Sequence, residues 1–378
     1  MYSKLPQVGQ SIFAQMTALA NQYQAINLAQ GFPNFNPPDA LIEFFYEALK
    51  SGMNQYAPMP GYLPLREQIA NRMYTRYNKT VDPQSEITIT TGATQAIYSI
   101  ISACISPGDK ALILEPAYDS YGPSVLVNSG IPIYVRMDEP SFDIPWQKIK
   151  DAIQQNDIKV MILNNPHNPT GRIWTREDYM KLIEITKDKK ILFIFDEVYD
   201  ALVYDGKKHI SALEFPEFWE NSFVCFSFGK TFHTTGWKIA YTIAPIDLTN
   251  ELRKLHQFTV FSVNTPGQYA NAKFMEYDPD FINGLSAFYE VKRNFFLEGL
   301  KETNFSALPC EGSYFVLAQH ENCVNDEAFC HHLVKDKKVA AVPISAFYHD
   351  RYDPKIIRFC FAKTDDLLES ALTLLKER

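Results

Sequence analysis

Six short runs of apolar, β-favouring residues follow one another between Glu86 and Ala244, with helical patterns between them. They read EITIT, KALIL, KVMIL, KILFIF, SFVCFSF and AYTIA. A strand with one face in water alternates apolar and polar residues, whereas a run that is apolar throughout needs cover on both faces. The pattern therefore calls for a mainly parallel sheet with crossover helices, an α/β domain. After about residue 280 the texture changes to long helices with a few strands, among them SYFVLA and IIRFCFA. This second region reads as a smaller α+β domain, and 378 residues suit one large and one smaller domain.

The expected boundaries are 1–45 for an N-terminal segment packing with the small domain, 46–280 for the large domain and 281–378 for the small one. Asp39 is expected to cap a helix running towards Lys50, with Gly52 at its stop. Leu65, Ile69 and Met73 at helical spacing predict a helix from about Leu63 to Tyr77. Thr175 and Asp178 stand at capping-box spacing, and a terminal helix opens near Thr364.

Composition removes several function classes. A net charge of −8 without a basic stripe gives nucleic acid no electrostatic footing. Cysteines 104, 225, 310, 323, 330 and 360 include no C-x-x-C pair, and His331 and His332 are adjacent rather than at ligand spacing. Neither zinc nor a disulfide framework is expected, so no metal site is assigned. Runs such as Ile191 to Phe195 are too short to span a bilayer, and the first thirty residues lack a basic start followed by an apolar run. A cytoplasmic protein is expected. No G-x-G-x-x-G follows the first strand, which sets a nicotinamide enzyme aside.

Four strings at strand ends carry the chemistry. SFGKTFHTTGWK puts Lys230 just beyond one strand, FDEVYD puts Asp196 and Tyr199 beyond another, and NNPHNPTG puts Asn168 beyond a third. TTGATQAI opens a helix after Gly92, where free N–H groups form a natural phosphate cradle. Singly, each has an ordinary reading: a surface lysine, a helix cap, a Pro-Gly turn, a tight turn before a helix. Together they mark the edge of an α/β sheet where ligands bind. His167 reads as structural support beside such a site.

In order and spacing these strings resemble the fold-type I, class I and II aminotransferases, from LAQGFPNF to RFCFAK. The branch they look most like holds the methionine aminotransferases and the kynurenine aminotransferases (glutamine transaminase K). The resemblance implies the pyridoxal-phosphate-dependent transferase fold, with a mainly parallel seven-stranded sheet in the large domain, and pyridoxal 5'-phosphate as cofactor. It makes Lys230 the Schiff-base lysine and later the base, and Asp196 the carboxylate facing the ring nitrogen. Tyr199 and Asn168 match the donors to the ring oxygen, and Tyr118 the aromatic residue stacked on the ring. Ala93, Thr94, Ser227 and Lys238 match the phosphate site, where Lys238 keeps the charge of the more usual arginine but loses its fork. Tyr56 matches a tyrosine that reaches the neighbouring subunit's phosphate, which implies a homodimer.

For the substrate, Arg358 matches the arginine that binds the α-carboxylate, with Gly31 and Asn168 beside it. No second arginine for a distal carboxylate is identified, since Arg66 and Arg72 fall on a helix face. Phe13, Phe32 and Phe261 are the candidate side-chain contacts, which favours neutral amino acids such as methionine, phenylalanine and tyrosine. Ser262 stands where relatives often have histidine, and Thr94 where some kynurenine enzymes are aromatic, so methionine is the preferred donor and a 2-oxo acid the acceptor. The alternatives are a kynurenine- or glutamine-type transaminase and a β-lyase on sulfur amino acids. A regulatory protein built on this fold is disfavoured, because no spare helix-turn-helix domain is present.

Overall fold

The computed structural model describes residues 3–376. After β1 (Ile26–Asn27) come the seven strands of the main sheet: β2 (Ile87–Thr90), β3 (Lys110–Glu115), β4 (Ile131–Arg136), β5 (Ile158–Asn164), β6 (Leu192–Asp196), β7 (Ser222–Ser227) and β8 (Ala240–Ile243). Their order is β2-β8-β7-β6-β5-β3-β4. All pairings are parallel except those of β8, which runs antiparallel to both β2 and β7. Two reversals cancel, so β2 points the same way as β7. The carboxyl ends of β2, β5, β6 and β7 therefore share one edge of the sheet.

The apolar runs are covered on both sides, as their composition requires. Along β3, Leu112 and Leu114 join one core and Ile113 the other; along β7, Val224 and Phe226 face one way and Phe223 and Cys225 the other. The helix Gly92–Cys104 packs on the second face through Ala96, Ile97, Ile100 and Ile101. Tyr179, on the helix Arg176–Thr186, packs on the first. Burying one such side chain contributes roughly 1.5–3 kcal/mol, so the sheet is a stiff platform for the loops at its edge. One strand, β4, stands outside the six apolar runs. It is one of the two outer strands, only partly covered, and carries Pro132, which only an edge tolerates.

Beyond the main sheet, β9 (Phe305–Ala307), β10 (Phe315–His320), β12 (Val342–Pro343) and β13 (Ile356–Cys360) form an antiparallel sheet in the order β12-β13-β10-β9. Its neighbouring helices are Phe281–Leu300, Asp326–Asp336 and Asp365–Lys376. β1 pairs in parallel with β11 (Val339–Ala340), which ties the N-terminal segment to this region.

Local signals held with one exception. The helix Leu63–Tyr77 has the expected ends, and Thr175 with Asp178 forms the reciprocal capping box. Asp39 is the first residue of its helix rather than its cap; Pro38 precedes it, and the carboxylate acts in the first turn, at the positive end of the helix dipole. No described helix is long and apolar enough to cross a membrane.

Candidate active site

At the shared edge, the loops after β2, β5, β6 and β7 enclose a cavity of about 150 Å³. Ala93, Thr94, Tyr118, Asn168, Asp196, Tyr199, Ser227, Lys230 and Lys238 all line it. Nine side chains scattered over 146 positions of sequence (93 to 238) thus meet at one place.

Asp196 ends β6 and is buried. Its Oδ2 accepts a hydrogen bond from the Tyr121 hydroxyl at 2.6 Å. Burial outweighs that bond and pushes the carboxyl up to about 6. Among the described residues no cation lies within ion-pair distance of it. Its Oδ1 accepts only a long bond from the Val198 backbone N–H at 3.4 Å, and a buried carboxylate so placed is costly unless a cation meets it.

Lys230 sits in the single helical turn Phe228–Thr231 that follows β7. Its amine donates to the Tyr314 hydroxyl at 2.8 Å and to the Gly31 carbonyl at 3.2 Å. Burial lowers this amine to about 8. The aromatic walls hold it in place: its Nζ lies 5.5 Å from the centres of both the Tyr199 and the Tyr314 rings.

Opposite, Gly92 opens the helix Gly92–Cys104 at φ +77°, and a Cβ there would come within 2.9 Å of Lys238 Nζ. Glycine thus lets the lysine lie against the helix start, where unpaired N–H groups and a cation converge. Ser227 ends β7 beside them. The Tyr118 ring packs edge-on against Tyr121 at 5.8 Å, with its hydroxyl 3.4 Å from that of Thr94.

Arg358 comes from β13 and is 1% exposed. It donates to Asn168 Oδ1 at 2.7 Å and to the Ala29 carbonyl at 3.2 Å, and its Nε has no partner among the described residues. Its guanidinium lies 3.8 Å from the centre of the Phe315 ring, 5.0 Å from Phe347 and 5.3 Å from Phe13. No described carboxylate is within ion-pair distance, and burial lowers its pKa to about 10. Asn168 is held in turn, its backbone N–H donating to Asn164 Oδ1 at 2.6 Å.

Other expected residues fall elsewhere. Tyr56 is 80% exposed and stacks edge-on with Phe261 at 5.2 Å, beside Gln55 and Ser262 and away from the Lys230 cavity. Phe32 is exposed next to Lys363. Arg66 donates to the Gly61 and Pro83 carbonyls, and Arg72 is bound to buried Asp200, so neither is free to meet a ligand. His167 is buried, pushed down to about 3 by that burial, and bonded to Thr170. Sequence reasoning missed Tyr121, Tyr314 and Asn164. Tyr121 lies within EPAYDSY and Asn164 within NNPHNPTG, but nothing in those strings shows that they face the site.

The fold, with a buried lysine and a buried carboxylate facing one cavity at the sheet edge, is that of an aminotransferase-type enzyme. The chain belongs to the family described as aminotransferase class I and II, whose model matches residues 23–375. It is 41% identical over 377 residues to the methionine aminotransferase of Escherichia coli, covering 99% of this chain and 97% of that one. A solved Escherichia coli structure with a methionine aminotransferase function superposes with a TM-score of 0.97 at 40% identity, covering 100% of this chain and 99% of that one. The N-succinyldiaminopimelate aminotransferase structure from Mycobacterium tuberculosis follows at 0.95 and 32%, covering 100% and 99%. Kynurenine–oxoglutarate transaminase 1 of Mus musculus is 28% identical over 402 residues, covering 97% of this chain and 95% of that one. The protein is an aminotransferase.

Proposed function

We propose that this aminotransferase uses pyridoxal 5'-phosphate to move the α-amino group of a neutral L-amino acid, methionine foremost and aromatic residues next, to a 2-oxo acid. The observation that carries the reading is Asp196, buried with no cation in ion-pair distance among the described residues, in the cavity that also holds Lys230 and Lys238. That donor set fits the cofactor. Asp196 would meet the ring nitrogen, Tyr199 and Asn168 the ring oxygen, and Tyr118 the ring face. The N–H groups of Ala93 and Thr94, the Ser227 hydroxyl and Lys238 would hold the phosphate. When bound, the cofactor supplies an electron sink for the negative charge that develops at the substrate's α-carbon.

The chain's own residues do the rest. With its amine lowered to about 8, a useful fraction of Lys230 is neutral near physiological pH, both to bond to the cofactor and to take the α-proton. Arg358, a buried planar donor with no described carboxylate in ion-pair distance, would receive the α-carboxylate beside Gly31 and Asn168. Phe13 flanks that guanidinium and offers apolar surface. Arg66 and Arg72 are already engaged, which supports a neutral rather than an acidic donor. The likeness to the Escherichia coli methionine enzyme points the same way.

The reading includes a homodimer in the cytoplasm, with domains at 1–45, 46–280 and 281–378. Tyr56 and Phe261, exposed together, would complete the partner's cavity. Steady-state rates with L-methionine, L-phenylalanine, L-kynurenine and L-aspartate as donors test the specificity. Methionine should lead and aspartate trail by at least about tenfold, since a buried charge left unpaired costs more than the roughly 1.4 kcal/mol to which tenfold corresponds. A preference for aspartate would overturn it.

A further inference from the structure

Tyr314 precedes β10 and is fully buried. A phenol has one proton to give, and here the Gly31 carbonyl receives it at 2.7 Å. The oxygen's lone pairs remain, and one accepts from Lys230 Nζ at 2.8 Å. The same amine donates to the Gly31 carbonyl at 3.2 Å, closing a three-membered ring of hydrogen bonds. A neutral amine has two N–H bonds and one lone pair. Both N–H bonds are committed, and the lone pair is the position left open.

The surroundings keep this arrangement rigid. The Tyr314 ring stands edge-on to Tyr199 at 5.2 Å and packs against Phe315 at 4.9 Å. Gly31 can approach because it lacks a side chain: a Cβ there would lie 2.8 Å from the Phe315 ring. Burial raises the Tyr314 phenol well above its usual value, so it stays protonated and keeps its donor on Gly31.

We propose that Tyr314 is a positioning residue for the reacting amine: with the Gly31 carbonyl it seats the free amine of Lys230, holding both N–H bonds so that the lone pair faces the α-proton. The inference rests on the reading of Lys230 as the lysine that exchanges with substrate. In the step itself, the Nζ lone pair forms the new N–H bond. The electron pair of the broken C–H bond stays on the substrate carbon, drawn into the electron sink. The resulting ammonium has three N–H bonds, two still held by Tyr314 and Gly31. The third is the proton that Lys230 later returns to carbon.

The test uses the full chain as wild type, Tyr314→Phe and Tyr289→Phe. Tyr289 is a control, a buried phenol whose hydroxyl has no hydrogen-bond partner among the described residues. With the cofactor removed, the pH midpoint for acylation of Lys230 is read by peptide mass spectrometry. Loss of the Tyr314 oxygen removes an acceptor that favours the ammonium, so the midpoint should move to lower pH in Tyr314→Phe and stay put in Tyr289→Phe. With the cofactor restored, the half-reaction with α-deuterated L-methionine should slow about 10- to 100-fold in Tyr314→Phe, within the range of a misplaced general base, and show a larger isotope effect. KM should hold. An unmoved midpoint with an unchanged isotope effect overturns the proposal, even if the rate falls. A wild type that does not transaminate refutes the functional reading instead, and the midpoint still decides whether Tyr314 seats the amine.

Discussion

The Arg358 guanidinium donates to the Asn168 side-chain oxygen at 2.7 Å, across 190 residues of sequence. One partner belongs to the antiparallel sheet and the other to the loop after β5, so this bond joins the two halves of the site. It leaves the other guanidinium nitrogens facing backbone and aromatic rings, with no described carboxylate to neutralise them. A buried cation in that state is poised for an anionic ligand.

Asn168→Ala should therefore loosen Arg358 as well as remove a donor from the cavity. A hydrogen bond to a charged group contributes about 1.5–3 kcal/mol, which corresponds to roughly a 10- to 100-fold fall in kcat/KM. Kinetics with the amino donor varied would check this, and a loss under about threefold would show that the bond is idle.

The Asp196 carboxyl gives a pH prediction for the cofactor-free chain. Its folded value, about 6, lies above the ordinary 3.8 because burial disfavours the charge. A raised acid stabilises the fold when protonated, fully below the unfolded value, and that contribution is lost as pH rises through about 6. The loss is on the order of 3 kcal/mol. Denaturant melts at pH 4 and pH 7 should show a smaller drop in Asp196→Asn than in wild type, and equal drops would contradict the assignment. The same substitution should strip most activity from the loaded enzyme.

Behind the site, Arg72 is bound to Asp200, which also accepts from the Tyr77 hydroxyl at 3.0 Å. Asp200 is held below the ordinary carboxylate range: burial works against its ionisation, and Arg72 and Arg76 overcome it. The pair fixes the turn that carries Asp196 and Tyr199 to the helix Leu63–Tyr77. Arg72→Ala would leave a buried carboxylate under-compensated and should cost about 3–5 kcal/mol. Equilibrium unfolding checks the size, and a change under about 1 kcal/mol would mean that Arg76 suffices.

Much of this was legible in the sequence because it depends on local rules. Runs apolar throughout must be covered on both faces, so the buried strands announced themselves. The strings that carry Asn168, Asp196 and Lys230 sit at strand ends, and parallel strands bring such ends together. β4 escaped because an edge strand is only half covered and its apolar pattern is broken by Pro132. Tyr121 and Tyr314 escaped for another reason. A tyrosine in a buried strand or helix reads as core, and only tertiary packing shows that its hydroxyl meets Asp196 or Lys230. Tyr56 and Phe261 stand apart from the cavity of their own chain, and their pairing with each other is not written in either local string.

The most direct test is the visible absorbance of the protein loaded with pyridoxal 5'-phosphate, before and after L-methionine is added without a 2-oxo acid. The account predicts a yellow band that bleaches with methionine, returns with a 2-oxo acid, and is missing from Lys230→Ala, which should have no turnover yet remain folded. A band that forms equally in Lys230→Ala, or no band in the wild type, would contradict it.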